Sequence, residues 1–214
     1  MVRTGRPREF DRDQALAAAT ELFWRHGFEG TSLAQLREAM GGISSASFYA
    51  AFKSKEALYR EVLAAYLAGH GTVVAPLTDE RLRPRDRIEQ ALRRSARMQT
   101  DPAHAPGCFV VLSATIGSPE TAELRAITAE VRAGNRRAIA ACVQAGVDAG
   151  DLPSDADTAA LTALFDTLLV GLALQAIDGT PAGALDAAMA NALVAWDYAR
   201  TAQVHGQPRG MKTV

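Results

Sequence analysis

Apolar residues recur every three or four positions along almost the whole chain, and no stretch alternates apolar with polar in the manner of a strand. The period predicts an all-α fold of about nine helices, four of them short and crowded into the first third. Asp11 caps the first, with Gln14 reaching back and Phe10 at the staple position. Its inner face is Ala15, Ala18, Ala19, Leu22 and Phe23, and Gly27 offers a left-handed stop. Ser32 and Gln35 form a capping box for a second helix whose inner residues are Leu33, Leu36 and Met40. Gly41-Gly42 allows a sharp turn that Ile43 plugs. Ser44 then caps a third helix burying Phe48 and Phe52, and Ser54 caps a fourth with Leu58, Val62, Leu63, Tyr66 and Leu67 on one face.

Beyond these the chain loosens at Gly69 and Gly71, and Pro76 to Pro84 reads as a loop. The remainder turns Ala- and Leu-rich. One helix is expected over Arg85–Thr100, and a short apolar one over Cys108–Ile116. Ser118-Pro119-Glu120 places a cap, a first-turn proline and an acid in order, opening a long helix that ends at Gly150. Asp155 opens the next, to Gly179, and Thr180-Pro181 the last, through about Ala202. The tail from His205 is polar and expected to be disordered. This divides the chain into a basic arm (1–9), a helix-turn-helix domain (10–67), a larger helical bundle (68–204) and the tail (205–214).

A chain of 214 residues that is 48% hydrophobic can bury a real core, and its net charge of −1 argues against binding nucleic acid by charge density alone. Any such contact must be local. Within residues 1–67 nine Lys and Arg face eight acids, three of the nine being Arg3, Arg6 and Arg8. Cys108 and Cys142 have no partner spacing, which suggests neither a disulfide framework nor a zinc site and fits a reducing, cytoplasmic setting. Cys108 follows a Pro-Gly loop; a small buried residue is the expected reading, ahead of a reactive one. His26, His70, His104 and His205 lack metal spacing, and His26 is expected to pack at the end of the first helix. The start shows no signal peptide, and the most apolar run, Leu168–Ile177, falls short of the roughly 20 residues a bilayer needs. Arg81, Arg83, Arg85, Arg87, Arg93, Arg94 and Arg97 read as the solvated face of a helix.

Ser32 to Phe52 is two short helices about a glycine turn, the smallest unit that places one helix in a DNA major groove, with Tyr49, Lys53 and Lys55 on its outward side. On the third helix Ser45, Ala46, Ala50 and Ala51 leave the backbone free to enter a groove, where Ser44, Ser45, Ala46 and Ser47 would meet base edges that serine hydroxyls and alanine methyls can read only weakly. DNA shape is therefore expected to carry part of any sequence preference.

Gly5-Arg6-Pro7-Arg8, Leu22-Phe23 before Gly27-Phe28, Gly30-Thr31-Ser32, Ser47-Phe48-Tyr49 and Phe52-Lys53-Ser54-Lys55-Glu56-Ala57-Leu58 resemble, in that order, the N-terminal domain of TetR-type transcriptional regulators. The turn Gly41-Gly42 looks one residue longer than is usual there. The resemblance implies that Tyr49 and Lys55 hold phosphates on either side of the groove, that Thr31 or Ser32 donates to another, and that Arg6 in the arm reaches a minor groove.

The helix from Asp155 is apolar nearly all round, so it needs covering on more than one side, and the last helix adds a stripe of its own; a single chain of this length would struggle to cover both. Pairing the two with their copies in a four-helix bundle would do this through Leu161, Leu168, Leu172, Leu185, Met189, Leu193 and Trp196, the same helix pair that dimerises in the family. Met98, Phe109, Leu112, Leu124, Ile127 and Phe165 could surround an apolar pocket, where family members commonly bind an effector. The sequence thus points to a homodimeric, effector-responsive regulator of double-stranded DNA, most simply a repressor at a near-palindromic operator. The rival reading is an all-helical small-molecule binder or enzyme without DNA binding. It finds no nucleophile, metal cluster or phosphate loop to work with, and no cofactor or membrane partner is expected.

Overall fold

The computed structural model describes the backbone of residues 11–205 and the side chains of residues 11–201. The arm with Arg3, Arg6 and Arg8, the staple residue Phe10 and the tail after His205 lie outside the described residues. Nine α-helices and no strand occur among the described residues: α1 (Arg12–Gly30), α2 (Leu33–Ala39), α3 (Ser45–Phe52), α4 (Lys55–Ala68), α5 (Pro84–Gln99), α6 (Phe109–Leu112), α7 (Ala122–Asp148), α8 (Thr158–Ile177) and α9 (Ala182–His205). Tighter 3₁₀ turns cover His70–Thr78, most of it ahead of the loop expected from Pro76, and Pro119–Thr121.

The early helices start where local capping chemistry places them. Asp11 accepts from the amides of Asp13 and Gln14, Ser32 and Gln35 close a full capping box, and Ser44 and Ser54 each accept from the third amide of their helix. Later boundaries depart from the sequence reading. The short helix stops at Leu112 instead of Ile116, because the chain beyond turns back to hold α1, leaving Ile116 93% exposed. Ser118 makes no side-chain cap, and the long helix begins at Ala122 after a 3₁₀ turn. Asp157, not Asp155, caps α8 by accepting from the Ala160 amide.

Two hydrophobic cores result. The first gathers α1–α4 around Phe23, Trp24, Phe28, Phe48, Phe52, Tyr59 and Tyr66, and it also takes Phe109, Val110, Ala114 and Leu124 from the later half. The second joins α5, α7, α8 and α9 through aliphatic side chains, with Phe165 and Trp196 among them. Leu161, Leu172, Leu185, Met189, Leu193 and Trp196 are all buried in this second core, and Leu168 packs against it. The expectation that these residues face a partner chain is corrected for the six buried ones, which α5 and α7 of the same chain cover, while Leu168 is only partly covered.

What α8 and α9 leave outside is a different face. Leu174 (60% exposed), Ile177 (48%), Val194 (57%) and Tyr198 (73%) lie there beside small residues such as Ala163, Thr167 and Ala187. The apolar stretch expected to end at ten residues belongs to a 20-residue helix, long and apolar enough to cross a membrane by length and composition. Its Asp166, ion-paired to Arg136 at 2.6 Å, and its buried Leu161, Phe165 and Leu172 tie it into the second core instead.

The arginine run is also more than a solvated face. Arg85 forks onto Asp197 of α9 at 2.8–2.9 Å and reaches Glu89, while Arg93 links Glu89 to Asp186 of α9. Both guanidiniums are about three-quarters covered, so α5 and α9 are pinned by charge as well as by packing.

Candidate nucleic-acid interface and effector cavity

The turn between α2 and α3 is fixed by backbone geometry. Gly41 (φ 85°) and Gly42 (φ 75°) donate to the carbonyls of Glu38 and Arg37, each at 3.0 Å, the paired bonds of a Schellman ending. The Arg37 guanidinium, which a surface reading would offer to DNA, instead donates to the Ile43 carbonyl at 2.9 Å and locks the exit angle. The extra glycine is thus absorbed as the second residue of the helix stop, and α3 still leaves at a defined angle.

Phe48 and Phe52 fasten α3 to the core with no exposed surface, and this aims Ser45, Ala46, Tyr49 and Ala50 outward. Tyr49 is 50% exposed, with its ring edge-on to Phe48. Ser44 and Ser47 are exposed too, but their hydroxyls pair at 2.9 Å and Ser44 accepts from the Ser47 amide, so the cap engages both. Lys53 ends α3 at φ 64°, ψ −53°, and the Ser54 amide bonds the Phe52 carbonyl across it at 2.7 Å. That is a γ-turn with a non-glycine residue at its centre, a strained arrangement of the kind that collects at functional sites.

Other expected contacts are placed differently. Thr31 is wholly buried, its hydroxyl donating to the Gly27 carbonyl at 2.8 Å, so it fastens the end of α1 and is withdrawn from the phosphate contacts. Ser32 is exposed, with its hydroxyl engaged in the capping box. Lys55 is half-buried with its ammonium 4.2 Å from the centre of the Phe28 ring, and burial pulls its pKa down. Arg6 lies outside the described residues. His26 is exposed instead of packed, while His70 and His104 face each other with ring centres 4.6 Å apart against the buried Trp24, which the sequence reading left out of the core.

The loop after α6 is one of the places where the early helices are tied to the rest of the chain. The Ser113 carbonyl accepts from the Phe28 amide at 2.7 Å, and its hydroxyl pairs with the Tyr59 hydroxyl at 2.6 Å. Gly27 (φ 71°) makes the approach possible, since a Cβ there would sit 3.2 Å from the Ser113 oxygen. Glu29 adds the Ser118 amide and the Thr121 hydroxyl, which hold its carboxyl below the usual range.

Just behind that loop is a cavity of about 60 Å³ between the end of α4, α5, α6, α7 and α8. Of the residues expected around a pocket only Met98 lines it. Phe109, Leu124 and Phe165 are packed solid in the cores, Ile127 lies against the first core, and Leu112 borders larger, more open clefts beside α1. The actual walls include Val110, Val131 and Leu169, with Ser95, Gln99 and Asp166 among them. Ser95 and Gln99 were legible in principle. They continue the buried stripe Ile88, Ala91, Leu92 of α5, where a polar residue is out of place. Cys108 borders the cavity half-buried, 3.5 Å from the Tyr66 hydroxyl, whose pKa burial drives up. Among the described residues no cluster of His, Cys, Asp or Glu could hold a metal ion.

The same arrangement recurs in known proteins. The family described as bacterial regulatory proteins, tetR family, matches residues 15–62, and the one described as tetracyclin repressor-like, C-terminal domain, matches residues 84–192. The HTH-type transcriptional repressor ComR of Escherichia coli is 31% identical over 179 residues, 82% of this chain and 83% of that protein. The structure of a cysteine mutant of the TetR family transcriptional regulator CifR, complexed with 26-base-pair double-strand operator DNA, superposes with a TM-score of 0.80. It is 41% identical and covers 89% of this chain and all of that one. A TetR regulator from Rhodococcus sp. RHA1 matches at 29% identity with a TM-score of 0.53, covering 86% of this chain and 97% of its own. The chain belongs to the TetR family of bacterial regulatory proteins.

Proposed function

We propose that the protein is a cytoplasmic, homodimeric transcriptional repressor that reads a near-palindromic operator through α3 and is released by a small effector, with no catalytic activity of its own. The observation that carries the reading is α3 itself, a slender rod clamped by Phe48 and Phe52 with Ser45, Ala46 and Tyr49 turned outward. Residues 10–67 form the DNA-binding unit, and residues 68–204 the effector and dimer unit. Operator DNA bound to the related CifR and the repressor ComR support the assignment. Tyr49 and Lys53 hold phosphates, Ser45 and Ala46 meet base edges, and Lys55 is drawn off Phe28 when the backbone arrives. Arg6 is assigned to the flanking minor groove by family resemblance alone.

Dimerisation uses the outward face of α8 and α9, with Leu174, Val194 and Tyr198 at its centre, in place of the buried stripe. Two recognition helices about 34–36 Å apart then meet successive major grooves. Release runs through α6. Val110 lines the cavity and Ser113, just past the end of α6, grips Phe28 and Tyr59, so an occupant that displaces α6 re-aims the whole unit. Effector and operator then oppose each other by the same coupling free energy, typically about 1–3 kcal/mol.

Gel shifts with DNA from upstream of its own gene, run over a salt series, test this. Wild type is expected to bind with a steep salt dependence. Tyr49→Ala should weaken binding about tenfold, the worth of one hydrogen bond to a charged group. Lys53→Ala should shallow the slope of log K against log salt by about 0.9. Salt-independent binding, or variants indistinguishable from wild type, would overturn the proposal.

A further inference from the structure

The cavity wall carries a chemical instruction that the regulatory reading does not contain. Three side chains lie on it: Ser95 and Gln99 are at least nine-tenths buried and Asp166 nearly so, and each has an oxygen that finds no hydrogen-bond partner within the protein. A buried polar atom left unpaired loses its hydration with nothing in return, so three around one small space are a pronounced expense for folding alone. Two are acceptors only: Oδ1 of Asp166 and the amide oxygen Oε1 of Gln99. What they lack is a donor. The hydroxyl of Ser95, one turn before Gln99 on α5, can serve as donor or acceptor beside them.

Charge narrows the class further. The other oxygen of Asp166 already accepts from Arg136 at 2.6 Å, so the carboxylate is neutralised, and Arg132 also lines the space. A cation would meet the Arg132 guanidinium beside a carboxylate already paired with Arg136, and an anion would meet the unpaired carboxylate and amide oxygens. Val110, Val131, Leu169 and Met98 make much of the rest of the wall apolar, and Tyr66, Cys108 and Asn135 also reach it. At about 60 Å³ the space takes roughly four to six water-sized centres.

We propose that this cavity is a site for a small neutral hydroxyl compound, with its hydroxyl hydrogens on Asp166 Oδ1 and Gln99 Oε1 and its short hydrocarbon end against the valines. The assignment rests on the reading of the cavity as the effector site, and it specifies the effector's chemistry.

The test uses the full-length protein without DNA and four probes of nearly equal size, followed by titration calorimetry and thermal shift. Butane-1,2-diol offers two donors. Dimethoxyethane has the same carbon and oxygen count and none. Butanoate and pentylammonium supply the two charges. The diol is expected to bind saturably and raise the melting temperature, with each of the others at least tenfold weaker. Gln99→Met fills the same volume without the orphaned amide, so the free variant should melt no lower than wild type while its diol affinity falls about tenfold. Dimethoxyethane binding as well as the diol, a charged probe binding more tightly, or an unchanged affinity in Gln99→Met would each overturn the proposal. The two readings fail separately. Operator binding without diol binding sinks this one alone. Diol binding that leaves the operator complex intact sinks effector release and leaves the cavity chemistry standing.

Discussion

The two cores of this protein are built from different materials and divide the chain differently. The first is aromatic: Phe23, Phe28 and Tyr59 meet at 5.4–5.9 Å, and Phe109 stacks on Tyr59 and Tyr66 and meets Trp24 edge-on. The second is mostly aliphatic and is closed by the ion pairs of Arg85 and Arg93 to α9. The buried residues of the second core run from Leu77 onward, whereas the first takes Phe109, Val110, Ala114 and Leu124 from the same later stretch. The DNA-facing helices therefore do not own their core. A helix that lines the cavity supplies a central ring of it, which is the packing basis for any influence of the cavity on α3.

Phe109→Ala is the severest test of that asymmetry. Truncating a fully buried Phe costs about 3–5 kcal/mol, and here the loss should fall on the DNA-facing unit although the residue lies outside it. Hydrogen exchange should show α1 and α4 losing protection at least as much as α7. Damage confined to the later helices would break the comparison.

Gly146→Ala probes the other core. A Cβ there would lie 2.5 Å from the Trp196 ring and 3.2 Å from Leu152, and the indole is fully buried, so overpacking should cost about 1–3 kcal/mol. Trp196 emission should shift while the protection of α1 and α4 holds. Equal loosening of both units would mean that the two cores act as one.

Tyr59→Phe sits at the join. It removes the hydroxyl paired with Ser113 and should cost about 0.5–1.5 kcal/mol near neutral pH. Burial raises the Tyr59 pKa from 10.0 to about 12. Its neutral form is thus favoured in the folded state, and the stabilisation is present below pH 10 and lost as pH climbs through about 12. In urea titrations between these pH values wild type should lose stability faster than the Phe variant. Parallel curves would remove Tyr59 from the join.

What the sequence told and withheld follows the same division. Ser32, Ser44 and Ser54 announced their helices because a cap is local chemistry, complete within four residues. Thr31 sits one residue away and looked equally polar, yet the fold of α1 buries it against Gly27. Leu185, Met189, Leu193 and Trp196 marked an apolar stripe correctly, but a stripe does not say whether its cover comes from the same chain or another. Arg85 and Arg93 looked solvated because their partners Asp197 and Asp186 lie about a hundred residues on. The cavity was missed for the opposite reason. Apolar residues were sought, and the informative ones were the polar Ser95, Gln99 and Asp166 on buried faces.

Lys53 separates stability from function where the aromatic core ends. Phe52 is the last core residue of α3, and the next residue carries the chain through φ 64° into α4. A γ-turn of this kind costs a non-glycine residue about 1–3 kcal/mol, part of which glycine would return in the extra entropy of its unfolded chain. Lys53→Gly should therefore stabilise the protein by about 1 kcal/mol or less, read as a small rise in the urea midpoint at unchanged slope. If Lys53 holds a phosphate, the same variant should bind operator more weakly and with a shallower salt slope, matching Lys53→Ala. A gain in stability with DNA binding intact would leave the strain without a purpose in recognition. No gain would mean that the turn is relaxed by its neighbours Tyr49 and Ser54, whose hydrogen bonds flank it.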